Sequence, residues 1–214
     1  AVVLNGSPFE LGKQSTREQL VSSLAKDLNA VAVYVNLFGG QDDLVFDGSS
    51  IASNPDGEVI ARARPFAADR VHLDLEAGRI NQVVGGHHPA ATDLALVWRA
   101  LEVGLRDYVD KNGFPSVILG LSGGIDSAVC AALAVDALGP NRVFGVSLPS
   151  RYSSDHSKSD AFDLATRLGI EIRTEGIGEI VQVAEDQLKL TGLSAENLQA
   201  RVRGLILMAL SNAE

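Results

Sequence analysis

The chain has 214 residues, of which 46% are hydrophobic and 21% charged, and its formal net charge is -9 at pH 7. This acidic balance repels polyanions, so we expect neither nucleic acid nor a membrane as a partner. A single cysteine excludes an internal disulfide, and together with the lack of an apolar run of membrane-spanning length it indicates a cytoplasmic globular protein.

The first part of the chain alternates strand patterns with one helical pattern. Strands are indicated by short apolar or alternating runs, and the helix by leucines at helical spacing. A turn is expected where proline and glycine fall close together, because proline presets one dihedral and glycine accepts a positive φ. The predicted elements are strands at 1–5 and 31–37, a helix at 15–29, two strands within 49–63 around a turn at 54–57, and a strand at 70–75.

A glycine-rich break at 81–92 separates this part from the rest. We therefore predict one domain over 1–84, a linker at 85–91 and a second domain over 92–214. The second domain alternates helices with buried-type strands, which favours a doubly wound parallel sheet with a ligand crevice at the carboxyl ends of its strands. Its predicted helices are 92–113, 126–139 and 155–169, and its predicted strands are 116–121, 142–149 and 170–177.

The stretch LGLSGGIDSAVCAALA places two glycines between a predicted strand and a predicted helix. Gly123 and Gly124 allow the backbone to come close to a bulky anion, which the free N–H groups of the first helical turn can bind. Ser122 and Ser127 can add hydroxyl donors. Asp126 would repel a bare phosphate, so it indicates a magnesium ion that bridges carboxylate and phosphate oxygens. The alternative is a tight turn in which the aspartate caps the helix.

This loop is neither a Walker loop nor a dinucleotide fingerprint, but it resembles the S-G-G-x-D-S loop of the PP-loop ATP pyrophosphatases. Members of that superfamily grip the pyrophosphate of ATP while the α-phosphate is attacked. The resemblance implies that ATP and Mg2+ bind here, with Asp126 as a metal ligand. The implied ATP-binding residues are Gly120, Leu121, Ser122, Gly123, Gly124, Ile125, Asp126, Ser127 and Leu148.

Three further stretches narrow the resemblance: NLFGGQDDLVFDGSS, LPSRYSSDHSKSDA and ENLQARVRGLILMALSN. Together they resemble the glutamine-dependent NAD synthetases over the whole chain. That family implies an α/β fold in which the C-terminal part of an α+β nitrilase-like sandwich precedes a doubly wound PP-loop domain of the adenine nucleotide alpha hydrolase-like type. It also implies ATP-dependent amidation of nicotinic acid adenine dinucleotide (deamido-NAD) to NAD through an adenylated intermediate. Glutamine is then the nitrogen donor, and AMP and pyrophosphate are released.

The resemblance also implies the remaining site residues. Asn197, Arg201 and Arg203 are implied to bind deamido-NAD, since arginine forks suit phosphate and carboxylate. Ser7 and Lys13 are implied to bind glutamine. We expect no catalytic residue of the glutaminase within the chain, because the glutamate, lysine and cysteine of that reaction belong to upstream segments. Both ends are interpreted as truncated, and the fragment alone is expected to be inactive.

Two residues beside the loop motif are interpreted separately. Arg151, which follows a predicted strand, is expected to approach phosphate. Cys130 lies on the apolar helix after the loop and is interpreted as a small buried residue, because nothing nearby would activate a thiol.

Two alternatives to this function remain open. One is another PP-loop amidotransferase such as GMP synthetase, whose glutaminase is of a different type. The other is a non-catalytic nucleotide sensor, which an upstream glutamate, lysine and cysteine in the parent protein would exclude. We also expect a homo-oligomer that associates through the synthetase domain.

Overall fold

The computed structural model describes residues 1–88, 92–151 and 153–213, and it divides into two compact units. The first unit is Ala1–Lys111 and the second is Asn112–Glu214. Among the helices of these described ranges, none is both long and apolar enough to cross a membrane.

The first unit is built on a mixed four-stranded sheet. Its elements are β1 (Val2–Asn5), α1 (Lys13–Leu28), β2 (Ala32–Asn36), β3 (Phe38–Gln41), β4 (Leu44–Asp47), β5 (Ile51–Ser53), β6 (Val59–Arg62), β7 (His72–Glu76), β8 (Arg79–Val84) and α2 (Asp93–Lys111). The sheet has the order β1-β2-β5-β6, with β1 parallel to β2 and the other pairs antiparallel. Val21 and Ala25 of α1 pack against Tyr34 and Ile51. Because β1 and β2 run in parallel, the chain leaving β1 starts beside the end of β2.

Helix α2 packs on the hairpin formed by β3 and β4. A carboxylate oxygen of Asp107 accepts a hydrogen bond from the N–H of Gly40 at 2.7 Å, and Lys111 donates to the carbonyl of Gly40. Ala100 and Val103 join Phe66 in a buried cluster. These contacts assign α2 to the first compact unit, so the division by contacts falls later than the boundary expected at 85–91. Residues 89–91 of that expected linker lie outside the described residues.

The strand predicted at 70–75 forms a hairpin that the sequence interpretation did not include. β7 pairs with β8, in an antiparallel ladder that runs from His72 opposite Val84 to Glu76 opposite Arg79. The interpretation of residues 81–84 as the start of the break is therefore wrong. Ile80 is buried against Ala52 and Ala61, which anchors this hairpin to the main sheet.

The second unit contains a three-stranded parallel sheet. Its elements are β9 (Val117–Gly120), α3 (Ile125–Leu138), a 3-10 turn at Pro140–Arg142, β10 (Val143–Ser147), α4 (Asp155–Leu168), β11 (Glu171–Thr174), α5 (Gly178–Leu188) and α6 (Leu193–Ala213). The strand order is β11-β10-β9, and α3 and α4 are the crossover helices. Helices α5 and α6 pack on Val146 through Ile177, Val181 and Val202. The α/β fold expected for this part is confirmed; α5 was not predicted.

Candidate functional site

The glycine loop connects the carboxyl end of β9 to α3 and is held by its own serine hydroxyls. The Oγ atoms of Ser122 and Ser127 lie 3.1 Å apart. The N–H of Gly124 donates to Ser122 Oγ at 3.2 Å, and Ser127 Oγ donates to the carbonyl of Gly124 at 2.9 Å. No side chain caps the start of α3. The first N–H groups of this helix, which have no intrahelical partner, are therefore available at the loop.

The two glycines of the loop meet different requirements. Gly123 has φ +79°, and an added Cβ would lie 2.3 Å from the carbonyl oxygen of Ser157. Backbone conformation and the close approach of α4 therefore both require glycine there. Gly124 has φ -90°, and an added Cβ would meet only Ser122 Oγ, at 3.3 Å. Packing does not demand a glycine at position 124, so the missing side chain leaves space on the exposed side of the loop.

Asp126 lies in the first turn of α3 and is exposed. In the described part of the chain, no group of three or more His, Cys, Asp or Glu residues could form a metal site on its own. A single carboxylate at a phosphate-sized anion site still fits magnesium, which proteins commonly bind through one or two carboxylates together with substrate phosphates. Asp126 is thus suited to a cation that arrives with a phosphorylated ligand.

A cavity of about 360 Å³ opens at the carboxyl ends of β9 and β10. This volume lies within the range that small-molecule sites occupy. Four of the predicted ATP-binding residues line it: Gly120, Leu121, Ser122 and Leu148. The other five, Gly123, Gly124, Ile125, Asp126 and Ser127, continue the loop into α3 and are not among its lining residues.

Two cationic side chains line the same cavity. Arg203 reaches it from α6, and its Nε donates to the carbonyl of Leu148 at 3.1 Å. Lys158 reaches it from the first turns of α4 and was missed by the sequence analysis. No local pattern marks it, because its place at the cavity depends on β9 and β10 lying side by side, which puts the starts of α3 and α4 at the same sheet edge. A cavity with apolar walls and two cations is suited to an anion that carries an apolar body.

The structure separates the three residues predicted to bind the dinucleotide. Asn197 and Arg201 are exposed one turn apart on α6, where Arg201 Nη1 donates to the carbonyl of Asn197 at 3.1 Å. Arg203 instead shares a face with Gln199 and Glu196, and these line a second cavity of about 740 Å³. Only Arg203 of the three lines the cavity at the glycine loop.

The guanidinium of Arg151 donates to Gln182 at 3.2 Å and to Glu185 at 3.0 Å, both on α5, and its approach to phosphate stays a prediction. The burial expected for Cys130 is wrong, because this residue is exposed. The buried stripe of α3 follows Ala131, Ala134 and Ala137, and position 130 falls beside that stripe.

Ser7 lies in the connection between β1 and α1, and Lys13 is the first residue of α1. The N–H of Ser7 donates to Asn36 Oδ1 at 2.8 Å, and Asn36 Nδ2 donates to the carbonyl of Ser7 at 3.1 Å. Lys13 Nζ donates to the carbonyl of Pro8 at 3.2 Å and lies 3.7 Å from a carboxylate oxygen of Glu10. The Lys13 side chain therefore reaches back to Pro8, the neighbour of Ser7, which brings the two residues predicted to bind glutamine to the same part of the first unit.

The chain is similar to known proteins along nearly its full length. A glutamine-dependent NAD(+) synthetase from Synechocystis sp. is 45% identical, with 99% of this chain and 39% of that protein aligned. The structure of a glutamine-dependent NAD+ synthetase from Acinetobacter baumannii in complex with adenosine diphosphate matches with a TM-score of 0.90 at 43% identity, covering 99% of this chain and 42% of that one. An NH3-dependent NAD synthetase from Campylobacter jejuni matches with a TM-score of 0.54 at 31% identity, covering 57% of this chain and 54% of that one.

The similarity therefore extends over both units, while the chain spans about two fifths of the length of the glutamine-dependent relatives (39% of the Synechocystis protein). The resemblance found from the motifs is confirmed by these relatives. The family model for NAD synthase matches residues 97–214, more than half of the chain and the whole of the second unit. The chain belongs to the NAD synthase family.

Proposed function

We propose that the protein containing this chain is a glutamine-hydrolysing NAD synthetase, which amidates deamido-NAD at the expense of ATP. The observation that carries the proposal is the S-G-G-I-D-S loop at the carboxyl end of β9, beside a cavity lined by Lys158 and Arg203, in a chain of the NAD synthase family. The reaction would couple a carbon–nitrogen bond to cleavage of ATP into AMP and pyrophosphate.

The glycine loop would hold the pyrophosphate of ATP through main-chain donors. Support comes from the exposed start of α3, whose N–H groups and helix dipole favour an anion. The ADP bound to the Acinetobacter baumannii relative adds support for a nucleotide. The nucleoside would lie in the 360 Å³ cavity against Leu148. Preorganised donors of this kind stabilise charge that develops at the α-phosphate.

Asp126 would hold Mg2+ together with the phosphate oxygens. A bound magnesium ion supplies charge neutralisation for the phosphates of the nucleotide. The protein's own contribution is to fix the carboxylate at the loop end, where α3 begins one residue earlier with Ile125.

Asn197, Arg201 and Arg203 would bind deamido-NAD from α6. Two arginines suit the phosphates and the nicotinate carboxylate of this dinucleotide. Their separation on the helix supports a division of roles, in which Arg203 serves the part of the substrate nearest ATP. Asn197 and Arg201 would hold the more distant part.

Ser7 and Lys13 would bind glutamine, and residues 1–84 would be the C-terminal part of a nitrilase-type glutaminase domain. The match of the family model from residue 97 onward supports a synthetase domain that starts near residue 92, after a linker at 85–91. The glutamate, lysine and cysteine of glutamine hydrolysis would lie in the rest of the protein. This chain alone would therefore release no ammonia.

A homo-oligomer formed through the second unit completes the proposal. The exposed apolar side chains Leu205 and Met208 on α6 would lie at that interface. The need for ATP supports a cytoplasmic location. Sedimentation of the full-length protein tests the interface, since Leu205→Glu should lower the mass of the species.

Product analysis of the full-length protein tests the proposed function. With ATP, magnesium, glutamine and deamido-NAD, we expect NAD, AMP and pyrophosphate in equal amounts. Amination of xanthosine monophosphate instead would identify a GMP synthetase. Binding of ATP without amidation of either acceptor would identify a nucleotide sensor and contradict the proposal.

A further inference from the structure

Arg17 is buried, and one edge of its guanidinium group donates hydrogen bonds to Ser7. Nε and Nη2 both donate to Ser7 Oγ, at 3.3 and 3.1 Å. Nη2 also donates to the carbonyl oxygens of Ser7 and Pro8, at 2.8 and 3.1 Å. Arg17 is 5% exposed although it lies on α1. This helix follows the connection formed by residues 6–12, here called the Ser7 turn.

The opposite edge of the same guanidinium group is anchored by Asp47. Nη1 donates to both carboxylate oxygens of Asp47, at 2.8 and 2.7 Å, and each side chain is 6% exposed. Asp47 ends β4 and also accepts a hydrogen bond from Asn36 Nδ2 at 3.5 Å. Two strand ends and a helix thus converge on Ser7, which leaves its hydroxyl little freedom of position.

The hydrogen bonds of Ser7 decide what its hydroxyl can offer a ligand. A serine hydroxyl has one O–H donor and two acceptor positions. Nε and Nη2 of Arg17 both donate to this oxygen, and a guanidinium has no acceptor to which the Ser7 O–H could donate in return. The O–H of Ser7 is therefore left as a donor for a ligand, and the two charge-assisted hydrogen bonds to its oxygen polarise that O–H. Ser7 is therefore set as a donor to an acceptor oxygen on its exposed side.

The burial of the Arg17–Asp47 pair is not explained by stability alone. Removing two charges from water costs as much as their attraction returns, so apolar residues often serve a core equally well. The Arg62–Glu18 pair of the same unit shows the contrast. Its two hydrogen bonds, at 2.7 and 3.0 Å, join two partly exposed side chains and reach no predicted site residue.

We infer that Arg17, anchored by Asp47, is a positioning residue that fixes the Ser7 hydroxyl as a donor to an oxygen of the bound amino acid. This inference rests on the proposed binding of glutamine by Ser7. Arg17 itself does not contact the amino acid; it acts through Ser7 Oγ.

A double-mutant cycle in the full-length protein tests this role. The variants are Arg17→Lys, Ser7→Ala and the pair, with Arg62→Lys as the matched control; the KM for glutamine, kcat and ammonia-supported NAD formation are measured for each. We expect Ser7→Ala and Arg17→Lys each to raise the KM for glutamine about tenfold, because a charge-assisted donor is lost or displaced. Arg17→Lys should add nothing once Ser7 is alanine, and Arg62→Lys should leave that KM unchanged.

Equal effects of Arg17→Lys with and without the Ser7 hydroxyl would overturn the inference, because Arg17 would then act only on the backbone or on folding. Asp47→Glu keeps the charge that pairs with Arg17 but moves the anchor by one methylene, so it runs the same cycle if Arg17→Lys fails to fold. Ammonia-supported NAD formation separates the two proposals. A wild-type protein that makes no NAD from either nitrogen source refutes the proposed function, whereas an active protein with additive effects refutes only the role of Arg17.

Discussion

The two candidate binding loops of this chain are held in opposite ways. The Ser7 turn is fixed by side chains from three other elements, and its partners Arg17, Asn36 and Asp47 are all buried. The glycine loop is held by hydroxyl groups of its own, and Asp126 at its end is exposed. In the Ser7 turn, buried charged residues orient a side chain. In the glycine loop, the backbone conformation of the glycines orients main-chain donors. The first should therefore be sensitive to charge removal and the second to added side-chain volume.

The largest effect is expected from breaking the buried ion pair. Arg17→Ala leaves Asp47 unpaired in the interior, which should lower the free energy of unfolding of the first unit by about 3–5 kcal/mol. Arg62→Ala breaks a partly exposed pair and should cost about 1 kcal/mol or less. Urea unfolding of this 214-residue chain followed by fluorescence measures both, because Trp98 is its single tryptophan and belongs to the first unit. Equal losses would mean that burial of the pair does not matter.

In the second unit, a large effect is expected from adding a side chain to the glycine loop, and it should appear as a loss of activity. Gly123→Ala places a Cβ against the Ser157 carbonyl at a positive φ, so the loop must shift, and a shift of about 1 Å can cost about 100-fold in rate. Gly113→Ala is the control, since Gly113 has φ +74° but nothing within 4 Å of the added Cβ. It should lose only about 1–2 kcal/mol of stability. The rate of NAD formation is measured for each purified variant. Similar rates for Gly123→Ala and Gly113→Ala would contradict the role given to the glycine loop.

The arginines of α6 should differ by a smaller margin. Arg203→Ala should raise the KM for both ATP and deamido-NAD about tenfold, because it removes the contact to Leu148 as well as a cation beside the loop. Arg201→Ala should raise only the KM for deamido-NAD. Steady-state kinetics with each substrate varied in turn measures this, with glutamine hydrolysis as the internal control. If Arg201→Ala and Arg203→Ala raise the KM for ATP by the same factor, the separation of the two residues on α6 has no functional meaning.

Acid should weaken the Arg62–Glu18 pair, with the smallest effect of the series. Hydrogen bonds from Arg62 hold the pKa of Glu18 below its ordinary value, outweighing the opposing effect of burial. The stabilisation is therefore complete above the unfolded pKa of about 4.3 and is lost as the pH falls through the lower folded value. Glu18→Gln should be less stable than the wild type by under about 1 kcal/mol at pH 6 and should match it near pH 3. A difference that stays constant with pH would exclude the pair as its cause.

The sequence predicts what depends on local periodicity and on spacing along the chain. The parallel strands of the second unit, the helices between them and the S-G-G-I-D-S loop follow from apolar runs and paired glycines. The hairpin β3–β4 and the second strand of the β7–β8 hairpin were missed, because β3 (FGGQ) and β8 (RINQVV) lack a clear alternation of apolar and polar residues. Burial of Cys130 was expected from an apolar helix, but composition does not tell which stripe of α3 faces the core.

The partners of the site residues were beyond the sequence for a different reason. Arg17 and Asp47 are 30 positions apart, and nothing local marks either as the neighbour of Ser7. Lys158 follows the glycine loop by more than 30 positions and reaches the same cavity only because β9 and β10 lie side by side. Such pairs depend on strand order, which propensity and periodicity do not contain.

The nitrogen source of NAD, measured with both loops altered in turn, tests the central claim most directly. The full-length protein would receive glutamine labelled with 15N at the side-chain amide, unlabelled ammonium, ATP, magnesium and deamido-NAD, and the carboxamide of NAD would be analysed by mass spectrometry. We predict labelled NAD from the wild type, a shift to unlabelled nitrogen for Ser7→Ala, and loss of NAD from both sources for Gly123→Ala. Unchanged labelling in Ser7→Ala, or undiminished NAD formation by Gly123→Ala, would contradict the division of the reaction between the two loops.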